Sequence, residues 1–299
     1  MSVIWTSRTR AWRLETQPRS IGRINVNNSI TNRLVFAAYP LNNTYWDAVT
    51  QSYGTPVGAI TEVGMRRRGG GANVDFAMTA VSDTTSTTEV IWPVSMTRGA
   101  TMANTASVLC LGGVPAQVDN DIYTMASCAD PDSSGHGYGL AIDSFNQVGR
   151  GNIIKTSYIV RGVSPGTTGF LGNPFANKLH FFGYSTWDNG ATGLWLHNRK
   201  SAAFSGVATN GTTLTNKRAR ILRISSTLPN KGELVALVLF WDRNISEGEY
   251  QELYDCPWLV FERPTNRLYF GATVAPPGGF QAAWASQRSR MISSGMGVH

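Results

Sequence analysis

One stretch near the end of the chain decides the fold: residues 232–261, which read GELVALVLFWDRNISEGEYQELYDCPWLVF. Its first ten residues are almost continuously apolar, which is typical of a strand buried on both faces. After a turn, Ser246 and Glu249 match the S-x-x-E capping box that begins a helix. Pro257 ends that helix after about two turns. The stretch therefore predicts a buried strand that is closed over by one short helix.

The apolar side chains of this stretch indicate how the helix is held. Ile245 and Tyr250 occupy the two positions of a hydrophobic staple, and Leu253 completes a short apolar face. Trp241 and Trp258 lie on either side of the helix. We interpret both tryptophans as core side chains that fill the closure, and not as platforms for a ligand.

The pattern in the rest of the chain predicts short strands separated by turn residues. Charged residues make up only 15% of the 299 residues, whereas aromatic residues reach 10% and there are 31 glycines. This composition favours short strands with tight turns. We expect an all-β, antiparallel jelly-roll sandwich with one short C-terminal helix and extended termini. Its strands are expected at 34–39, 72–77, 89–96, 107–111, 138–142, 158–160, 178–182, 193–197, 218–224 and 232–241.

Three regions are expected along the chain. Residues 1–20 form an N-terminal arm that mixes basic and aromatic residues, residues 21–270 form the sandwich, and residues 271–299 form a tail. The tail contains the linker-like run Pro276-Pro277-Gly278-Gly279. The sequence has no apolar run of about 18 residues and no secretory signal at its start, so neither membrane insertion nor a leader is expected.

The sequence lacks the residue patterns that catalysis or metal binding would need. No E-x-D-x-E pattern of alternating carboxylates and no G-x-S-x-G elbow occurs, so we expect no enzyme activity. The 3 cysteines have neither CxxC nor zinc spacing, and we expect no cofactor. The acidic run near Asp130 and Asp132 is interpreted as turn chemistry, although such a loop also suits calcium.

Basic residues occur in clusters at 8–13, 66–68, 217–223 and 288–290, within a net charge of +7. Such clusters either keep a surface solvated or contact an acidic partner. No nucleic-acid motif accompanies them, so no specific nucleic acid is expected. We interpret the run from Arg66 to Arg68, with the three glycines after it, as a solvated turn ahead of a strand; the alternative is a basic loop that contacts a partner.

The closing stretch resembles the last strand and helix of laminin-G and concanavalin A-like domains. Its ending, Pro257-Trp258-Leu259-x-Phe261, is similar to the version found in many phage and prophage proteins. Residues 32–37 resemble the opening of the same proteins, except that Thr31-Asn32-Arg33 replaces the usual Thr-x-Gly. Residues 282–288 resemble their C-terminal ends, while 40–220 match only in strand pattern.

The resemblance implies a non-enzymatic structural component on the exterior of a tailed-phage particle, either a head decoration or fibre protein or a tail fibre. Such a protein assembles in the host cytoplasm and resides in the virion. Its expected partners are further copies of itself, with a trimer as the first guess, and other virion proteins. The residues expected to contact those partners are Trp5, Trp12, Arg13, Arg66, Arg67, Arg68, Trp284, Arg288 and Arg290.

The alternative hypothesis is a carbohydrate-binding module that recognises a glycan on the host surface. Aromatic rings stack on the apolar face of a pyranose, so this hypothesis needs exposed aromatic side chains at one rim of the sandwich. Its candidates are Trp46, Tyr53, Tyr184 and Trp187.

Overall fold

Antiparallel strands make up most of the described residues in a computed structural model of this protein. The structure describes residues 16–69, 72–80, 88–92, 107–114, 122–129, 137–143, 148–154, 178–187, 192–205, 218–222 and 232–262. The strands are β1 (Leu34–Leu41), β2 (Thr44–Asp47), β3 (Ser52–Tyr53), β4 (Thr55–Val57), β5 (Ile60–Gly69), β6 (Ala72–Ala80), β7 (Glu89–Ile91), β8 (Ser107–Val114), β9 (Ile122–Ala129), β10 (Gly137–Asp143), β11 (Val148–Ile154), β12 (Lys178–Trp187), β13 (Thr192–His197), β14 (Lys200–Ser205), β15 (Arg218–Ile221) and β16 (Leu234–Trp241). The helix α1 spans Glu247–Asp255, and a 3₁₀ turn follows at Pro257–Val260.

The strands form two sheets, and all pairings among the described residues are antiparallel. Sheet 1 has ten strands in the order β14-β13-β12-β8-β16-β1-β2-β3, and the β5–β6 hairpin joins it through β16. Sheet 2 has six strands in the order β11-β10-β9-β15-β7-β4. The expected all-β sandwich is thereby confirmed.

The inner core lies between the two sheets. It joins Phe36 and Phe240 of sheet 1 to Met125 and Leu140 of sheet 2, all of them fully buried. Trp92 packs edge-on against Phe36, with 4.8 Å between the ring centroids. Side chains alternate across β1, so that Phe36 and Ala38 enter this inner core while Ala37 and Tyr39 face the other side.

A second core covers the outer face of sheet 1. The helix α1 and the 3₁₀ turn contribute Tyr250, Leu253 and Trp258, and the β5–β6 hairpin contributes Met65 and Val74. Every residue of β16 is buried because this strand has a core on each face. This confirms the doubly buried strand that the apolar run predicted.

The capping box at the start of α1 is also confirmed. The Ser246 hydroxyl accepts a hydrogen bond from the backbone N–H of Glu249, and the Glu249 carboxylate accepts one from the backbone N–H of Ser246. The staple residues Ile245 and Tyr250 are buried. Within the described residues, α1 is the single α-helix, and no helix there is long and apolar enough to cross a membrane.

Residues 16–28, which we call the N-terminal strap, run from the edge of β6 to the 3₁₀ turn. The buried side chain of Gln17 donates to the Phe76 carbonyl and accepts from the backbone N–H groups of Asp75 and Phe76. Farther along, Ile24 forms an antiparallel bridge with Phe261. The strap thus binds backbone groups of β6 at Asp75 and Phe76.

Two strands extend beyond their predicted bounds for identifiable reasons. Strand β1 continues through Pro40, where its pairing with β16 has already ended and β2 is its one paired neighbour. Strand β8 continues through Gly112 instead of turning there. A Cβ at Gly112 would lie 2.9 Å from the sulfur atoms of Cys110 and Met125, so the close packing inside the strand favours glycine at this position.

Strand β7 spans Glu89–Ile91, and residues 93–96 of the strand predicted there lie outside the described residues. Strands β2, β3, β4, β5, β9, β11 and β14 were not predicted, and the predicted strand at 158–160 lies outside the described residues.

Candidate functional site

One rim of the sandwich lies at the β1–β2 hairpin and the short strand β3. Leu41 pairs with Thr44, so Asn42 and Asn43 form a two-residue loop. Both residues have left-handed backbone angles, with φ of 54° and 57°, as a type I′ turn requires. Asparagine tolerates this conformation better than most residues, and both side chains are exposed.

Tyr53 is the aromatic side chain of this rim. Its ring is half-buried and meets Trp46 edge-on at 4.9 Å between centroids. Its hydroxyl accepts a hydrogen bond of 2.8 Å from the Asn42 side-chain amide. Because both ends of the ring are held, Tyr53 presents a partly open aromatic surface whose position is set in advance.

Trp46 supports the rim from beneath, with only 6% of its surface exposed. Its indole N–H donates to the Gly22 carbonyl of the N-terminal strap at 3.0 Å. Tyr39 anchors the same segment, accepting from the Gly22 N–H and donating to the Ser20 carbonyl. The strap therefore holds the supporting tryptophan in place.

Asp47 shapes the turn that leads to Tyr53. Its buried carboxylate accepts hydrogen bonds from the backbone N–H groups of Ala37, Val49 and Thr50 and from the Thr50 hydroxyl. Burial raises the pKa of Asp47 above its ordinary value, although these hydrogen bonds act in the opposite direction. Because backbone donors occupy this carboxylate, it is a structural group.

Gly54 lets the chain pass from one sheet to the other directly after Tyr53. A Cβ at this position would lie 2.3 Å from a methyl carbon of Val90 and 2.8 Å from the Trp92 ring. No side chain fits there, so the backbone of the rim packs directly on sheet 2. The rim is consequently a rigid edge of the sandwich.

Only part of the predicted aromatic set lies at this rim. Trp46 and Tyr184 are core residues, with 6% and 2% of their surface exposed, so their prediction as stacking platforms was wrong. Both lie on strands with a core beneath them. Tyr53 is half-buried at the rim, while the side chain of Trp187, at the last position of β12, lies outside the described part. The contribution of Asn42 was not predicted.

The residues predicted to contact assembly partners are mostly untested. Trp5, Trp12, Arg13, Trp284, Arg288 and Arg290 lie outside the described residues. Arg66–Arg68 do not form a turn or loop, because β5 continues to Gly69 and pairs Arg67 with Val74. The expectation of a turn at Arg66–Arg68 was therefore wrong.

The acidic residues of the closing helix have structural partners. Glu249 accepts from Arg243 at 2.6 Å as well as from Ser246, and Glu247 accepts from the Ser201 hydroxyl. Within the described ranges, no group of three or more His, Cys, Asp or Glu residues is placed to hold a metal ion. The chemistry that the rim offers is stacking and hydrogen bonding through Tyr53 and the two asparagines.

The fold and the rim define an antiparallel β-sandwich domain with a preformed polar and aromatic edge. No protein-family model matches the sequence, and no curated protein matches it. Among solved structures it is similar to the binding domain of botulinum neurotoxin DC in complex with rat synaptotagmin II, at 13% identity and a TM-score of 0.51, covering 75% of this chain and 52% of that chain.

Two further structures match with lower scores. The binding domain of Paraclostridial Mosquitocidal Protein 1 and the receptor binding domain of botulinum neurotoxin D each share 12% identity at a TM-score of 0.48. Each match covers 76% of this chain, and 52% and 53% of the two neighbours respectively. The chain spans about half the length of these structures. At such identities, the match at 0.51 supports the β-sandwich fold alone.

Proposed function

We propose that this protein is a non-catalytic binding module that recognises a carbohydrate on a host cell surface through the Tyr53 rim. The observation that carries the proposal is the half-buried Tyr53 ring, held between Asn42 and Trp46. A sugar needs an aromatic face for its C–H groups and nearby donors and acceptors for its hydroxyls. A preset ring and two exposed amide side chains supply both without reorganisation.

The comparison of structures supports this class at the level of the fold. The neurotoxin domain that shares the sandwich is a binding domain solved with synaptotagmin II. A common fold does not transfer a ligand, so the carbohydrate is inferred from the chemistry of the rim. The structural uses of Asp47, Glu247 and Glu249 agree with a role that is not catalytic.

We further propose that the module belongs to the exterior of a tailed-phage particle. This part rests on the resemblance of the closing residues from Pro257 to Phe261 to phage and prophage proteins. A head decoration or fibre protein and a tail fibre both place such a module where it meets a host cell. Self-association and contacts with other virion proteins through the terminal arms remain predictions.

The test is a binding assay of the purified full chain against an array of bacterial and animal surface glycans. We expect Tyr53→Ala to weaken binding of the best glycan about fivefold or more, since one stacked ring contributes on the order of 1 kcal/mol or more. Tyr53→Phe keeps the ring and loses the bond to Asn42, so a smaller loss is expected. The matched control is Tyr254→Ala, because Tyr254 is also half-buried but Arg199 covers its ring at 5.1 Å.

Two outcomes would contradict the proposed function. One is an array that binds nothing while the chain is folded. The other is binding that Tyr53→Ala leaves unchanged or that Tyr254→Ala weakens equally. A structure of an intact particle in which neighbouring subunits bury the rim would favour a purely structural role.

A further inference from the structure

A row of aromatic side chains crosses the edge of sheet 1 and ends at the rim. Tyr39 of β1 lies opposite Trp46 of β2, and Trp46 lies opposite Tyr53 of β3. Residues directly opposite each other in an antiparallel pair share one face, which here is the face of the outer core. Tyr39 is fully buried, Trp46 is nearly so, and Tyr53 is half-buried. A ligand can therefore reach Tyr53, whereas Tyr39 can act on a ligand only through its neighbours.

The N-terminal strap crosses the buried part of this row and bonds to both of its side chains there. The Tyr39 hydroxyl donates to the Ser20 carbonyl and accepts from the Gly22 N–H, each at 2.7 Å. The Trp46 indole N–H donates to the Gly22 carbonyl at 3.0 Å. Burial raises the pKa of Tyr39 to about 12, so its hydroxyl keeps the proton that it donates to Ser20. Gly22 thus joins Tyr39 to Trp46 through its backbone N–H and carbonyl.

The strap is anchored on both sides of Gly22. On the side that precedes it, the buried side chain of Gln17 makes hydrogen bonds with backbone groups of β6. On the side that follows it, Ile24 forms the antiparallel bridge with Phe261 in the closing segment. Because both flanks are held, the chain at Gly22 cannot move far from Tyr39 without breaking one of these anchors.

Gly22 packs closely against the Tyr39 hydroxyl. A Cβ at Gly22 would lie 2.9 Å from the hydroxyl oxygen, but 3.7 Å and 3.9 Å from the nearest ring carbons, Cζ and Cε1. The first distance is too short for a carbon–oxygen contact, whereas the other two are ordinary van der Waals contacts. An alanine at this position would displace the strap or the Tyr39 side chain, and the hydroxyl oxygen would be the atom responsible. A displaced strap would carry the Gly22 carbonyl away from the Trp46 indole.

We propose that Tyr39 and Gly22 are positioning residues of the Tyr53 rim, and that by holding the strap on Trp46 they control the affinity of the rim for a glycan. This inference rests on the proposed function of the rim. The Trp46 ring meets Tyr53 edge-on at 4.9 Å, so a shift of the indole changes the position of the stacking surface. Stacking depends on how the two faces meet, and a ring that is fixed before binding loses less freedom on binding. Tyr39 exerts this control without touching the ligand.

A double-mutant cycle on the full chain tests this role, with the affinity measured for the best-binding glycan of the array. Gly22→Ala and Tyr39→Phe should each weaken binding about threefold or more, a common size for coupling between residues in contact. Tyr39→Phe also removes the oxygen that the new Cβ would meet. The double variant should therefore bind no more than about twofold worse than Tyr39→Phe alone. Losses that simply multiply in the double variant would overturn the proposal.

The matched control is Tyr250→Phe, in the closing segment. The Tyr250 hydroxyl, like that of Tyr39, is buried and donates to a backbone carbonyl, in this case that of Phe181 at 2.9 Å. Tyr250→Phe should lower the urea midpoint of unfolding, as Tyr39→Phe does, but leave the glycan affinity unchanged. If Tyr250→Phe weakened binding as much as Tyr39→Phe, a general loss of stability would explain both results and the positioning role would be wrong.

NMR spectra without any ligand separate this inference from the proposed function. Gly22→Ala should shift the resonance of the Trp46 indole N–H, whose acceptor moves, and the ring resonances of Tyr53, which lies beside the Trp46 ring. Tyr250→Phe should shift neither. Such shifts together with an array that binds nothing would support the positioning role and contradict the proposed function alone. Unshifted Tyr53 resonances, or glycan binding that Gly22→Ala leaves unchanged, would overturn the positioning role.

Discussion

The closing segment, residues 232–261, and the Tyr53 rim, residues 42–54, handle their polar groups in opposite ways. In the closing segment the capping box and Arg243 use the polar side chains internally, and the 3₁₀ turn is entirely buried. At the rim, Asn42 and Asn43 leave polar atoms toward solvent, whereas the Asp47 carboxylate beneath them is held by hydrogen bonds within the protein. The closing segment therefore stabilises the fold, whereas the rim has exposed polar groups that a binding partner can contact.

The largest expected effect comes from breaking the closing segment at Trp258. This side chain is fully buried in the outer core beside Phe261. Trp258→Ala should lower the free energy of unfolding by about 4 kcal/mol, because it removes a large apolar contact and leaves a cavity. Urea denaturation followed by circular dichroism measures this loss. Tyr53→Ala at the rim is the control and should cost well under half as much; equal losses would abolish the contrast between the two regions.

A smaller effect is expected from replacing Asp47, a rim residue whose carboxylate, like the polar groups of the closing segment, is bonded within the protein. Asp47→Ala leaves the buried N–H of Ala37 without its acceptor and also removes the acceptors of Val49 and Thr50. We expect a loss of about 2 kcal/mol in the free energy of unfolding, since water can reach the last two donors. Asp47→Asn keeps one oxygen for Ala37 and should lose less. A loss below about 0.5 kcal/mol for the alanine variant would show that the turn does not depend on this carboxylate.

The same contrast explains what could be predicted from the sequence. The closing segment was predictable because local signals agreed: an apolar run long enough for a doubly buried strand, a capping box, and Pro257 as a stop. Strand β8 was predicted too short because a glycine at position 112 is typical of a turn. The sulfur atoms of Met125 and Cys110, which pack against Gly112, explain why a glycine lies within the strand. Contacts between distant strands leave no such local signal.

The rim was predicted only in part for the same reason. Tyr53 was a candidate because it is aromatic and lies near turn residues, but so were Trp46 and Tyr184, and their burial depends on strands far away in sequence. The hydrogen bond from Asn42 to Tyr53 needs the register of β1, β2 and β3.

The smallest expected effect concerns two carboxylates, one in each region, whose pKa values shift in opposite directions. At Glu249, burial acts to raise the pKa, but hydrogen bonds from Arg243 and Ser246 outweigh it and lower the pKa below 4.5. A lowered pKa in the folded state means that its stabilisation is present above the ordinary value and is lost as the pH falls through the lowered one. Glu249→Gln should therefore lose its disadvantage relative to wild type in acid.

Asp47 should behave in the reverse manner, since burial raises its pKa above 3.8 in the folded state. Its contribution is fully present below that ordinary value and is lost as the pH rises through the raised one. Urea midpoints of wild type, Glu249→Gln and Asp47→Asn, measured from about pH 3 to about pH 7, compare the two directly. The advantage of wild type over Glu249→Gln should shrink as the pH falls, whereas its advantage over Asp47→Asn should grow. If the advantage of wild type over both variants changed with pH in the same direction, the pKa of Glu249 would not be lowered while that of Asp47 is raised.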